Sequence, residues 1–188
     1  MKKYTYIVLL IRSVGFAQKE GNIWYFGSGA GLDFNSGTAV SISGGQLNTL
    51  EGCASISDAS GDLLFYTDGM TVYDRTHAVM MNGTDLLGNN SSTQSAIIVK
   101  KPESDTIYYV FTVDGLTGNN GGLSYSEIDL SLNGGLGAVT NLKNEVLFFY
   151  AAEKVTAIKH ANGSDYWIIA PQHTTDTYFS YLFTPVQA

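Results

Sequence analysis

The sequence has little with which to build a metal site, a disulfide or a reacting centre. Cys53 is the only cysteine among 188 residues, which excludes an intrachain disulfide and a thiolate metal cluster. The three histidines, His77, His160 and His173, show no H-x-x-x-H or H-E-x-x-H spacing of a zinc site. G-x-S-x-G and phosphate-loop motifs are absent as well. No residue is therefore predicted to be catalytic or to bind a metal, and no cofactor is expected.

Long apolar runs are also lacking. Tyr4–Ile11 is apolar but eight residues long, far too short to cross a bilayer, so no membrane span is expected. Lys2 and Lys3 precede this run, and the small-x-small sequence Gly15-Phe16-Ala17 follows it. This order predicts a cleaved signal peptide over residues 1–17, and hence an exported protein. An ordinary first strand is the alternative, because one arginine interrupts the run.

Basic residues are few. Removal of residues 1–17 would remove three basic residues and no acidic one, leaving 7 basic and 17 acidic residues. That balance argues against a nucleic-acid partner, whose phosphates require Lys and Arg. It permits cation binding without indicating it. The D-x-N sequence of Asp33 and Asn35 lacks the further ligands of a calcium loop and is interpreted as turn chemistry, so a structural calcium ion has no support.

Glycine and aromatic residues are abundant, with 21 Gly, 12 Tyr and 9 Phe, a composition that favours short strands and tight turns. Glu51–Gly69 predicts a hairpin with strands Ala54–Ser57 and Leu63–Thr67. The Asp, Ser and Gly residues of Asp58–Asp62 suit the turn between them. In this interpretation Gly27–Gly31 is a turn as well, and so is Ser43–Gly45.

The same hairpin recurs downstream. Each copy has a long polar residue, an apolar strand, a polar turn and an aromatic strand. The three copies start at Glu51, Gln94 and Glu153, which are 43 and 59 residues apart. Their aromatic strands are aligned at Tyr66, Tyr109 and Trp167, which lie 15, 15 and 14 residues after the starts. Trp24–Phe26, 40 residues before Phe65, begins a further copy.

A period near 40–45 residues with several short strands per copy is typical of propeller blades. The predicted fold is all-β, a partial β-propeller over residues 22–188 with about three to four antiparallel four-stranded blades. A β-sandwich whose hairpins happen to be alike is the alternative.

Five stretches together resemble a known family. They are WYFGSGAGLDF, NTLEGCASISD, LLFYTDG, STQSAIIV and EKVTAIKHANGSDYW. Jointly they resemble the N-terminal region of secreted or surface β-propeller proteins of the Bacteroidetes, many of which end in a gliding-motility-associated or type IX secretion sorting domain. The resemblance implies a secreted or outer-membrane surface protein. No sorting domain is present here, so we expect a truncated chain whose C-terminal domains are missing.

The repeat also selects three candidate site residues. Glu51, Gln94 and Glu153 occupy one repeat position, which in a propeller places them around one mouth of the central channel. There they could bind a ligand. The simpler interpretation is that their side chains form hydrogen bonds with backbone amides where neighbouring strands start.

The predicted function is a non-catalytic secreted or cell-surface propeller module for adhesion or for binding a surface polysaccharide or a protein, linked to gliding motility or type IX secretion. One alternative is a fragment of a propeller glycoside hydrolase or polysaccharide lyase, because fold alone does not decide activity. A scaffold that presents later domains is another.

Overall fold

The computed structural model describes residues 18–116 and 121–185, and these ranges are all-β. The signal peptide predicted for residues 1–17 lies outside them. The described residues form four antiparallel sheets and one 3₁₀ turn, Asn133–Gly135. The first sheet contains β1 (Ile23–Phe26), β2 (Ser28–Asp33) and β3 (Val40–Asn48), and the second contains β4 (Ala54–Ser57), β5 (Leu63–Thr67) and β6 (Val72–Asp74). The third contains β7 (Ala96–Lys100), β8 (Ile107–Val113), β9 (Gly122–Asp129), β10 (Ala138–Val139) and β11 (Glu145–Phe149), and the fourth contains β12 (Thr156–Lys159), β13 (Tyr166–Pro171) and β14 (Tyr178–Phe183).

The three hairpins predicted from the repeat are confirmed as β4–β5, β7–β8 and β12–β13, all antiparallel. Their turns share one hydrogen bond, in which a backbone N–H reaches the carbonyl three residues earlier. The three bonds run from Gly61 to Asp58, from Ser104 to Lys101 and from Gly163 to His160. The turn residues therefore give a structural alignment of the three copies.

This structural alignment differs from the predicted alignment by one residue in the second sheet. Phe65 pairs with Ile56, as Tyr109 pairs with Val99 and Trp167 pairs with Ile158. Phe65, and not Tyr66, is thus equivalent to Tyr109 and Trp167. A bulge between Ile56 and Ser57 adds one residue to β5 and so places Phe65, instead of Leu64, opposite Ile56.

The turn predicted at Gly27–Gly31 is confirmed at its start, because Phe26 pairs with Ala30 and the chain reverses between β1 and β2, with positive φ at Gly27 and Gly29. The turn predicted at Ser43–Gly45 is wrong. Most of the first segment lies in β2, and β3 runs through the second. The reason is the ring of Tyr25, which lies against these strands. A Cβ atom on Gly45 would come within 2.4 Å of Tyr25 Cδ1, and one on Gly31 within 3.0 Å. Gly31 and Gly45 therefore make room for an aromatic ring, whereas Gly27 and Gly29 serve the chain reversal.

The prediction of four strands per sheet is wrong for three of the four described sheets, which have three strands each. Only the third sheet has a fourth position, where β10 and β11 both pair with β9. In the second sheet the chain returns after β6 but makes a single bridge, between Tyr73 and Val79. His77 and Asn82 have positive φ there, so the segment turns instead of extending as a strand.

Consecutive sheets pack face to face through three apolar clusters. The first joins sheets one and two around Tyr25 and Tyr66. The second joins sheets two and three around Phe65 and Val110. The third joins sheets three and four and includes Ile168. Each internal sheet therefore buries both of its faces, which explains why its central strand is apolar without alternation.

The face of the fourth sheet that points away from the third is uncovered within the described residues. Ile158 is 52% exposed, whereas Val99, its equivalent in the third sheet, is 4% exposed. Leu182 pairs with Trp167 on the same face and is 43% exposed. We call these three residues, Ile158, Trp167 and Leu182, the open face. In the described ranges, no helix is long and apolar enough to pass through a membrane.

Candidate functional site

Glu51, Gln94 and Glu153 each lie seven residues before the first residue of a hairpin turn, namely Asp58, Lys101 and His160. The structure brings their chain segments together. Gly52 N–H donates to the carbonyl of Ser92 at 3.0 Å, and the next residue, Thr93, contacts Glu153. The three residues therefore lie in adjacent segments, at the ends where β4, β7 and β12 begin.

Glu153 links two sheets by hydrogen bonds, and we call this set of bonds the Glu153 bracket. Its Oε2 accepts hydrogen bonds from Thr93 N at 3.1 Å and from Thr93 Oγ1 at 3.0 Å, and its Oε1 accepts one from Leu116 N at 2.9 Å. The bond from Leu116 is the main cause that lowers the pKa of this carboxyl, and the bonds from Thr93 add to it. Glu153 thus fits the structural role that the sequence offered as the simpler one.

Glu51 and Gln94 differ from Glu153 despite their equivalent positions. Both are exposed, and neither side chain makes a hydrogen bond to another residue that the structure describes. Gln94 lines two neighbouring recesses of about 520 and 240 Å³. Its amide therefore remains free to donate and accept hydrogen bonds to a bound molecule.

These two recesses form what we call the inner groove. The larger one lies among β1, β4 and β7, and the smaller one lies beside β12 and β13. The residues that matter to its chemistry are Trp24, Phe26, Ser55, Gln94, Thr156 and Tyr178. A concave surface with apolar walls and a few polar groups is the usual form of a ligand site.

Aromatic rings are exposed along the inner groove. Trp24 is 49% exposed and Phe26 37% in the larger recess, and Tyr178 is 69% exposed in the smaller one. The indole of Trp24 is held in place, because Nε1 donates to the carbonyl of Gly21 at 2.7 Å and the ring packs on Phe34. Trp24 thus presents a positioned aromatic surface rather than a loose side chain.

Sequence reasoning missed these aromatic residues as site candidates. The letters WYF show three aromatics in a row, but Tyr25 is buried between sheets while its two neighbours are exposed. The alternation of side chains along a strand was the available signal. This alternation does not identify the exposed residues unless it is known which face of β1 the second sheet covers.

Cys53 lines the inner groove and is not a reactive thiol. Its Sγ donates to the carbonyl of Tyr25 at 3.4 Å, and it packs in the cluster that joins sheets one and two. Burial raises the pKa of the Cys53 thiol, and the charge of Asp68 raises it further. A thiol with a raised pKa is a poor nucleophile at neutral pH, and Cys53 packs here as a small hydrophobic side chain.

The acidic side chains in the turns accept hydrogen bonds from backbone N–H groups of the same turns. Asp58 Oδ1 accepts hydrogen bonds from Ser60 N and Asp62 N. Asp33 Oδ1 accepts one from Asn35 N, so the D-x-N sequence is a turn, as predicted. Residues 18–116 and 121–185 contain no group of three or more His, Cys, Asp or Glu side chains placed to hold a metal ion.

Comparison of the chain with protein-family models, with curated proteins and with solved structures gives no match.

Proposed function

We propose that this chain is a non-catalytic binding module of the β-propeller type, acting at the cell surface, and that its inner groove binds an extended carbohydrate. The observation that carries the proposal is the free amide of Gln94, which lies between two recesses that expose aromatic rings. Sugar rings present apolar C–H faces and polar hydroxyl edges. Aromatic rings match the faces, and an amide matches the edges.

The propeller arrangement is supported by the way the sheets pack. A two-sheet sandwich has one core between its sheets. Here three clusters alternate with four sheets along the chain. The first strands of the sheets also lie next to one another, as shown by the hydrogen bonds from Ser55 Oγ to Ile23 O and from Gly52 N to Ser92 O. Successive small sheets with neighbouring first strands are the arrangement of propeller blades.

The carbohydrate site is tested by titrating the purified chain with cellotetraose, xylotetraose and mannotetraose in a calorimeter. We expect at least one of these to bind, and we expect Trp24→Ala and Gln94→Ala each to weaken that binding about tenfold, because a stacked ring or a buried hydrogen bond contributes roughly 1–2 kcal/mol. Phe149→Ala is the matched control, since Phe149 is 56% exposed but lies outside the inner groove. Equal affinity of the wild type and all three variants for the sugar would show that the inner groove is not the binding site.

Export is tested separately. We expect the protein recovered from the outer surface of expressing cells to begin at Gln18, following cleavage after Ala17. Edman sequencing of that material gives the answer. Surface protein that still carries residues 1–17, or protein found only in the cytoplasm, would contradict the export part of the proposal.

A further inference from the structure

A second cleft lies at the other end of the strands from the inner groove. It occupies about 410 Å³ between the hairpin turns of the third and fourth sheets. β7 connects the two regions, with Gln94 before its start and Lys100 at its end. Because a strand rises about 3.3 Å per residue, Gln94 and Lys100 are roughly 20 Å apart. We call this region the turn cleft; its cationic, hydroxyl and aromatic side chains are those of Lys100, Lys101, Ser104, Lys159, Ser164 and Tyr166.

The turn cleft concentrates positive charge in an acidic protein. The chain contains seven Lys and Arg residues after residue 17, and three of them, Lys100, Lys101 and Lys159, line this one cleft. Across the described ranges the only ion pair within 4 Å joins Lys100 Nζ to Asp105 Oδ1, at 3.8 Å. Lys101 and Lys159 therefore have no acidic partner at that distance. Glu103 is the one other carboxylate of the cleft, so its lining keeps a net positive charge.

The backbone on both sides of the turn cleft is held in place. Ser104 Oγ accepts hydrogen bonds from Thr106 N at 3.3 Å and Ile107 N at 3.0 Å. On the other side Asn162 Oδ1 accepts bonds from Ser164 N and Asp165 N, at 3.0 and 3.1 Å. Asn162 Nδ2 also donates to the carboxylate of Asp165 at 2.7 Å, which fixes that side chain within the turn. The lysines thus project from two ordered turns.

We propose that the turn cleft binds the carboxylate of a uronic acid within an acidic polysaccharide. Lys101 and Lys159 supply the cations, and the ring of Tyr166, which lies opposite Lys159 in the hairpin, supplies a surface for the sugar. A polyphosphate is a poor fit, because Glu103, Asp105 and the net charge of −7 repel a dense line of charge. A saccharide with one carboxylate per ring places its charge at the lysines and its hydroxyls beside Ser104 and Ser164.

The inference rests on the proposed function only for the class of ligand, since the turn cleft and the inner groove share no residue. It is tested by titrating the full chain with tetragalacturonate at 50 and 300 mM NaCl, beside the neutral tetrasaccharides and a sulfated tetrasaccharide. We expect tetragalacturonate to bind, and to bind more weakly at the higher salt concentration because salt screens exposed charges.

The deciding variant is Lys101→Gln with Lys159→Gln, which should weaken tetragalacturonate binding at least tenfold. Lys19→Gln with Lys143→Gln removes the same charge outside the turn cleft and should change it less than twofold, and Lys101→Arg with Lys159→Arg should retain binding. Equal weakening by both glutamine pairs, or preference for the sulfated sugar, would overturn the inference. If the wild type binds only a neutral sugar, and Trp24→Ala abolishes that binding, the turn cleft is refuted while the proposed function stands.

Discussion

The carboxylate of Glu153 accepts two hydrogen bonds from Thr93, one from the backbone N–H and one from the hydroxyl. The two residues are 60 positions apart and belong to segments that lead into neighbouring sheets. With its third bond, from Leu116 N, Glu153 fastens the start of β12 both to the start of β7 and to the loop after β8. One side chain thus connects the third and fourth sheets at the mouth of the inner groove.

Replacing Glu153 by Gln should destabilise the fold by about 1–2 kcal/mol, because the amide nitrogen cannot accept and one bracketed group loses its partner. Urea unfolding followed by tryptophan fluorescence measures this. Glu51→Gln is the matched control, since Glu51 occupies the equivalent position but makes no hydrogen bond among the described residues, and it should change stability by less than about 0.5 kcal/mol. Equal effects at both positions would contradict the bracket.

The contribution of Glu153 should depend on pH in a defined direction. Its pKa is lowered in the folded state, chiefly by the hydrogen bond from Leu116 N. The stabilisation is therefore present above the unfolded value, about 4.3, and is lost as the pH falls through the lower folded value. We expect the difference in urea midpoint between wild type and Glu153→Gln at pH 7 to shrink at pH 3. A difference that stays constant would argue against an ionised acceptor.

Tyr66 should be sensitive to loss of its hydroxyl. The oxygen accepts a hydrogen bond from Gln46 N at 3.0 Å and lies 3.1 Å from His77 Nδ1, so it joins β3 to the turn after β6. Burial raises the pKa of Tyr66 to about 12. Tyr66→Phe should cost about 1–2 kcal/mol by thermal unfolding, because buried polar partners are left unpaired. Tyr178→Phe, at an exposed tyrosine, should leave the free energy of unfolding almost unchanged. A Tyr66→Phe variant as stable as the wild type would show that the hydroxyl does not join these elements.

Gly45→Ala should destabilise the first sheet. The added Cβ would lie 2.4 Å from Tyr25 Cδ1, so the ring must move out of the cluster that joins sheets one and two. Overpacking of this kind costs about 1–3 kcal/mol. Gly21→Ala is the control, because a Cβ there meets nothing within 4 Å. If both variants melt at the wild-type temperature, Tyr25 does not require these glycines.

The open face should promote self-association. Ile158 and Leu182 are 52% and 43% exposed, and an uncovered apolar sheet face favours association in water. Ile158→Lys with Leu182→Lys should lower the apparent mass of concentrated samples in sedimentation without lowering the melting temperature. Val99→Lys, at the position equivalent to Ile158 in the third sheet, should prevent folding because Val99 is only 4% exposed. Unchanged sedimentation of the double variant would show that this face is inert.

Local sequence signals predicted the hairpins and the turn chemistry well. Strands Ala54–Ser57 and Leu63–Thr67 have the predicted bounds, because the Asp58–Asp62 turn and the flanking apolar residues agree. The glycines of the first sheet were predicted only in part: the chain reverses at Gly27–Gly29, whereas Gly31 and Gly45 make room for the ring of Tyr25 from the neighbouring strand. The alignment of Tyr66 was wrong because Tyr109 lies 15 residues after Gln94, whereas Phe65 and Trp167 lie 14 residues after Glu51 and Glu153, and residue counts do not show which hairpin is longer.

The candidate site was predictable only in part. The spacing of Glu51, Gln94 and Glu153 placed them correctly at one repeat position, but spacing alone could not separate the bracket of Glu153 from the free amide of Gln94. That difference depends on Thr93 and Leu116, which lie 60 and 37 residues from Glu153. The contribution of Trp24 required knowing which face of β1 the second sheet covers.

The central claim, that the inner groove binds carbohydrate, is tested most directly by two-dimensional NMR of the isotopically labelled chain during titration with the neutral tetrasaccharides. We expect one of these sugars to shift the indole N–H signal of Trp24 and the side-chain amide signals of Gln94, while the backbone signals of the open face stay fixed. Shifts that avoid Trp24 and Gln94, or no shift with any of the sugars at millimolar concentration, would contradict the account.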